Sequence, residues 1–126
     1  MRRADIENIV TARIEDAEIL YDNKRYDGSV YLCGYAVELC LKARICKTMQ
    51  WEEYPTSGQY KTFKTHDLDV LLHLTGLEEE VKLALFAEWS IVAQWSPESR
   101  YNPVGSIQES DAKDMIESTR ELIKQI

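Results

Sequence analysis

Asp27-Gly28-Ser29-Val30-Tyr31-Leu32-Cys33-Gly34-Tyr35-Ala36-Val37-Glu38-Leu39-Cys40-Leu41-Lys42-Ala43-Arg44-Ile45-Cys46-Lys47-Thr48-Met49 is the stretch on which the fold turns. Between Val30 and Leu41 it carries a single charged residue, Glu38, and it is apolar on every face of a helix. A helix of that composition has to be surrounded. The reading is therefore the central helix of a small bundle, packed by its own neighbours on one side and by a second subunit on the other. Gly28, Ser29, Gly34, Ala36 and Ala43 are small enough to let backbones come close, and Gly34 reads as a packing notch. Asp27 is a candidate N-cap, its carboxylate accepting the free N–H groups of the first turn.

Working outward, Ile6, Ile9, Val10, Ala17, Leu20 and Tyr21 recur at three- and four-residue steps, which predicts an amphipathic helix from Ala4 to about Tyr21. Asp22-Asn23-Lys24 breaks it. After the central helix, Trp51 to Lys64 reads as a turn-rich loop around Tyr54-Pro55-Thr56-Ser57-Gly58. Thr65-His66-Asp67 then opens a short helix with Leu68, Leu71 and Leu72 inward and Gly76 as its C-terminal cap. A fourth helix runs from Glu78 to about Trp95, with Val81, Ala84, Leu85, Trp89 and Val92 inward, and Ser96 to Gly105 is a second loop. The last helix starts near Ser106 or Ser110 and reaches Gln125, burying Ala112, Met115, Ile116, Thr119, Leu122 and Ile123. Ser106 and Glu109 have capping-box spacing. No alternating strand pattern appears, so the expectation is one all-α domain over residues 1–126, with five helices.

A chain of 126 residues with 44% hydrophobic and 29% charged residues suits one globular core. No apolar run approaches the roughly 18 residues of a membrane span, and the N-terminus lacks a secretory apolar stretch, so the expected location is cytoplasmic. The net charge of −7 works against non-specific binding of RNA or DNA. Cys33, Cys40 and Cys46 fall on one helix, where seven positions span about 10 Å, too far for a disulfide. Buried reduced thiols are the expectation, and no His/Cys cluster has the spacing of a metal site.

Few residues offer chemistry. Glu38 and Lys42 stand four apart in the orientation that favours an ion pair, inside an otherwise apolar run. Such charges pair or shift their pKa, and they serve as internal braces more often than as functional groups. Arg100-Tyr101 lies in the loop before the last helix, where Arg100 can hold a phosphate by paired hydrogen bonds or anchor the loop on Glu38. His66 precedes a helix and His73 sits on one, with no nucleophile beside either in sequence. Neither a Gly-rich phosphate loop nor a Gly-x-Ser-x-Gly elbow is present, which argues against a self-sufficient kinase or hydrolase.

Arg25-Tyr26-Asp27-Gly28-Ser29-Val30-Tyr31, followed by Gly34-Tyr35-Ala36-Val37-Glu38-Leu39-Cys40-Leu41-Lys42-Ala43, resembles the second helix of the HEPN domain (higher eukaryotes and prokaryotes nucleotide-binding). Thr65-His66-Asp67-Leu68, Arg100-Tyr101 and the last helix follow in the order of that family, so the resemblance covers nearly the whole chain. It implies an up-and-down bundle of four to five helices that dimerises, often beside a minimal nucleotidyltransferase in a toxin–antitoxin pair. Many such domains are metal-independent RNases whose motif is an Arg followed, after four to six residues, by a His. Arg100 matches the Arg. Gly105, Ser106 and Ile107 occupy the positions where the His belongs, and Tyr101 replaces the usual polar neighbour. Without that imidazole, attack by an RNA 2′-hydroxyl lacks its expected acid or base.

The reading that follows is a non-catalytic HEPN-like domain without cofactor or metal. It binds a nucleotide or another phosphate-bearing ligand, or a partner protein such as a nucleotidyltransferase, through Arg100, Tyr101, Glu38, Lys42 and His66. Two other readings compete with it: a structural dimerisation module with no ligand, and a divergent RNase that joins His66 to Arg100.

Overall fold

The computed structural model describes all 126 residues. Six α-helices follow one another: α1 (Arg3–Asp22), α2 (Tyr26–Met49), α3 (Leu68–Thr75), α4 (Glu78–Ala84), α5 (Phe86–Val92) and α6 (Glu109–Gln125). Short 3-10 helices over Gly58–Phe63 and Pro97–Tyr101 interrupt the two long connections. The fold is all-α, as the apolar patterning requires.

α2 is the axis of the bundle, with α1, α3 and α6 packed around it. Twelve of its residues are buried, among them Val37, Leu39, Leu41 and Ile45, so the all-round apolar reading holds within a single chain. Its own neighbours supply most of the cover for which the sequence suggested a second subunit. Among α-helical residues, the large apolar side chains most exposed to solvent are Leu83 (84%) and Phe86 (68%), at the junction of α4 and α5.

Close helix approach rests on small residues. The buried Ser29 hydroxyl donates to the Ala17 carbonyl at 2.7 Å, tying α2 to α1. At Gly34 a β-carbon would stand only 2.2 Å from the Trp95 indole, so the absent side chain is the seat of that ring. The packing notch read from Gly34 is thus filled by Trp95.

Several boundaries differ from the sequence reading. α2 begins one residue early, and Asp27 does not cap it; its carboxylate accepts instead from the N–H groups of Gly105 (2.6 Å) and Ile107 (3.0 Å), pinning the connection that leads into α6. The fourth helix is divided at Leu85 (φ −133°, ψ 44°) where the chain passes from packing on α3 to packing on α6, and Ala84 is exposed rather than inward. Neither Gly nor Pro stands at that break. α6 starts at Glu109, and its first turn is closed by Asp111, which accepts the Gln108 N–H at 3.2 Å, in place of the Ser106–Glu109 pair.

The Trp51–Lys64 segment is more ordered than its turn residues suggest. Trp51 meets Tyr60 and Phe63 edge-on, and the buried Tyr54 donates its hydroxyl to the Phe63 carbonyl at 2.6 Å. Backbone bonds from Arg3 to Glu52 and from Tyr54 to Met1, both 2.8 Å, join this segment to the start of the chain. α3 does end at Gly76, whose φ of 78° is open to glycine at little cost. No helix is long and apolar enough to cross a membrane.

The three thiols are unbridged. Burial raises Cys33 and Cys40 each to about 11 and raises Cys46 as well, so at neutral pH they are protonated and poor nucleophiles.

Candidate functional site

Glu38 is a buried carboxylate. It projects from the middle of α2 with 2% of its surface accessible, in a position where an unpaired carboxylate would be very costly. Both oxygens are engaged. Oε2 accepts from the Lys42 ammonium at 3.1 Å, one helical turn on, and Oε1 lies 2.9 Å from Nδ1 of His66. Lys42 is itself buried and rests over the Tyr54 ring, 5.4 Å from its centre, so the aromatic cluster of the first connection backs the pair.

His66 is brought to Glu38 by a capped turn. The Thr65 hydroxyl accepts the Asp67 N–H at 3.1 Å, and Asp67 caps α3 by accepting from Asp69 (3.0 Å) and Val70 (3.2 Å). The residue between these two caps has little backbone freedom. Because the carboxylate can only accept, the geometry assigns the Nδ1 proton to the bond with Glu38. Nε2 is then the other working nitrogen of a ring whose side chain is 63% exposed. A buried anion thus fixes the orientation of an accessible imidazole.

A groove of about 800 Å³ opens here, bordered by Tyr31, Tyr35, Glu38, His66, Trp95 and Arg100. Arg100 enters it from the 3-10 turn at Pro97–Tyr101 and forms no ion pair. Its guanidinium lies 4.9 Å from the centre of the Tyr101 ring, and its side-chain contacts with Tyr101 and then Tyr31 raise its pKa further above the ordinary arginine value. The guanidinium is therefore a fixed positive charge, partly oriented by aromatic rings and unclaimed by any carboxylate.

The five residues singled out from sequence are distributed unequally. Glu38, His66 and Arg100 border one groove; Tyr101 flanks the arginine from outside it and is 71% exposed; Lys42 lies behind Glu38, away from the groove wall. Glu38 does not anchor the arginine loop. That task falls to Asp27, whose bonds to Gly105 and Ile107 cross the bundle.

Tyr31, Tyr35 and Trp95 border the groove and were not among the sequence candidates. Tyr31 and Trp95 pack with ring centres 5.9 Å apart, and the Trp95 indole N–H is buried without an acceptor. The available signal was the pairing of a glycine on α2 with an aromatic residue at the end of the fourth helical segment. No group of three or more His, Cys, Asp and Glu side chains converges as a metal site would need.

Comparison with curated proteins and with solved structures gave no match. The family model described as HEPN domain matches residues 11–126, a span that takes in α2, the capped turn at His66, the arginine loop and α6. On that match, together with the all-helical bundle, the chain belongs to the HEPN domain family.

Proposed function

We propose that this domain binds a phosphate-bearing ligand, foremost a nucleotide, in the groove bordered by Arg100 and His66, and that it does so without catalysis. The observation that carries the reading is a division of labour among charges. The buried carboxylate is satisfied on both oxygens by Lys42 and His66, whereas Arg100 borders the same groove with no carboxylate of its own. A guanidinium in that situation is suited to two parallel hydrogen bonds with phosphate oxygens, and His66 Nε2 supplies another donor when the ring is protonated. Tyr31, Tyr35 and Trp95 add aromatic surface for a base.

Thermal-shift titration with a panel of nucleotides tests this directly. The wild-type melting temperature rises with at least one of them, and Arg100→Ala loses that rise while keeping its own melting temperature within a few degrees. An identical response from Arg100→Ala removes Arg100 from the site.

One observation favours a second reading, a metal-independent RNase. Glu38 holds Nδ1 of His66 and leaves Nε2 for proton transfer, as a base in an Arg–His pair would need. RNA cleavage with chelator present, lost on changing either His66 or Arg100, would establish it. The acidic net charge weighs against it.

A homodimer belongs to the leading proposal, with the exposed Leu83 and Phe86 as apolar surface available for it. A clean monomer by light scattering at high micromolar concentration contradicts that part. The minimal nucleotidyltransferase partner and the toxin–antitoxin setting rest on family membership alone.

A further inference from the structure

Both partners of Glu38 lead back to one side chain, Tyr54. Its ring lies against the Lys42 ammonium, 5.4 Å from centre to nitrogen, and its hydroxyl donates to the Phe63 carbonyl at 2.6 Å. The same carbonyl accepts the Thr65 N–H at 2.9 Å. The Phe63 oxygen is thus held from two directions where the chain enters the capped turn that presents His66. Tyr54 cannot drift. It is the one buried residue between Trp51 and Asp67, its backbone N–H donates to the Met1 carbonyl at 2.8 Å, and its ring meets that of Phe63 edge-on at 6.2 Å.

We infer that Tyr54 is the positioning residue of His66: through the Phe63 carbonyl it fixes the turn that delivers Nδ1 to Glu38, and through Lys42 it fixes the carboxylate that receives it. The use made of the imidazole rests on the proposed groove ligand, whereas its orientation by Tyr54 needs no ligand at all.

The placement of buried residues along the chain singles out Tyr54. Lys64, His66 and Asp67 are exposed, so the turn has no apolar side chain of its own to seat it. Beyond His66 the chain is anchored by the buried Leu68 at the start of α3. Before His66 the corresponding anchor is the tyrosine hydroxyl, since the bond from the Asp67 N–H to the Thr65 hydroxyl sets the shape of the turn but not its distance from α2. Burial pushes the Tyr54 hydroxyl above the ordinary phenol range, so it stays a donor at neutral pH. The chemical consequence falls on the imidazole. A free neutral ring prefers its proton on Nε2, whereas a ring held to a carboxylate through Nδ1 keeps the proton there and leaves a lone pair on Nε2. Tyr54 therefore decides which form of Nε2 the groove receives.

The experiment is long-range proton–nitrogen NMR of the intact chain, without ligand and with both imidazoles neutral, on the wild type, Tyr54→Phe and Tyr60→Leu. In the wild type the Nδ1–H form of His66 outweighs the other by about tenfold, as a bond to a carboxylate warrants. Tyr54→Phe deletes one oxygen, keeps the ring against Lys42, and lowers that ratio by roughly fivefold or more, which is most of what the bond supplies. His73 is the internal control: its Nδ1 lies 2.8 Å from Glu78, near the far end of α3, and its shifts stay in place. Tyr60→Leu loosens the exposed edge of the same aromatic cluster without touching the Lys42 or Phe63 bonds, so it lowers the melting temperature and leaves His66 unchanged. An unaltered His66 ratio in Tyr54→Phe would overturn the proposal, as would an equal change in Tyr60→Leu. A Tyr54→Phe chain that does not fold, or in which His73 moves as well, would make the tyrosine structural only and overturn it too. Nucleotide titration is read separately: absence of binding that depends on Arg100 would remove the proposed ligand and leave the positioning of His66 intact.

Discussion

Glu38 and Arg100 border one groove but are secured by contrasting means. The carboxylate sits on the central helix, 2% exposed, with each oxygen given to a different partner. The guanidinium sits on a short 3-10 turn, in solvent, touching tyrosines and no carboxylate. The first arrangement has the marks of structure: removing one member leaves a charge stranded in a low-dielectric interior. The second has the marks of a contact surface, because its loss costs the fold little. The proposed ligand site therefore draws on the arginine and the imidazole, while the apolar helix that dominates the sequence provides the support.

The largest way to break this contrast is Lys42→Met. It strands Glu38 with only His66 for company, and the expected loss is about 3–5 kcal/mol of unfolding free energy, measured by urea denaturation. Replacing both members, as Glu38→Leu with Lys42→Met, restores most of that stability because no buried charge remains. A double variant no more stable than Lys42→Met would show that the pair is not self-contained.

Gly34→Ala comes next. The added methyl would lie 2.2 Å from the Trp95 ring, and the helix and the wall of the groove must part to admit it. A loss of about 1–3 kcal/mol is expected in the same assay, despite the higher helix propensity of alanine. A stabilised Gly34→Ala would mean that Trp95 does not occupy the notch.

The smallest effect is on the thiols. Cys33 has its pKa raised by burial to about 11, against a usual value near 9, so the folded state holds its proton where the unfolded chain has released it. The stability tied to that proton is fully present below about pH 9 and is lost as the pH climbs toward 11. The loss is on the order of 2 kcal/mol for this residue, and Cys33→Ala flattens the alkaline limb of the stability curve accordingly. An unchanged limb would show that Cys33 is more accessible than its surroundings indicate.

Much of the support was legible in the sequence, and the reasons are local. An uninterrupted apolar run announces burial wherever it falls, so α2 and its Glu38–Lys42 pair could be read without knowing the neighbours. Gly76 ends α3 because a left-handed cap has a residue-type signature. What could not be read depends on chain segments far apart. Asp27 looks like an N-cap beside its own helix, but its partners stand 78 and 80 positions away. His66 meets Glu38 across 28 positions, and no periodicity reports that meeting. The break at Leu85 follows a change of packing partner, from α3 to α6, that leaves no mark on the residue itself. The family resemblance correctly identified the all-helical fold, because it was carried by the central helix and by the order of the segments that follow it.

The central claim is that Glu38 fixes His66 by Nδ1 and offers Nε2 to a ligand that Arg100 binds. Long-range proton–nitrogen NMR of the His66 ring during titration with a nucleotide tests it most directly. Nδ1 is expected to keep the chemical shift of a proton-bearing nitrogen bonded to a carboxylate throughout, while the Nε2 and Arg100 Nε resonances move together on binding. A ring whose Nδ1 carries no proton, or a nucleotide that binds without moving either Nε2 of His66 or Nε of Arg100, would contradict it.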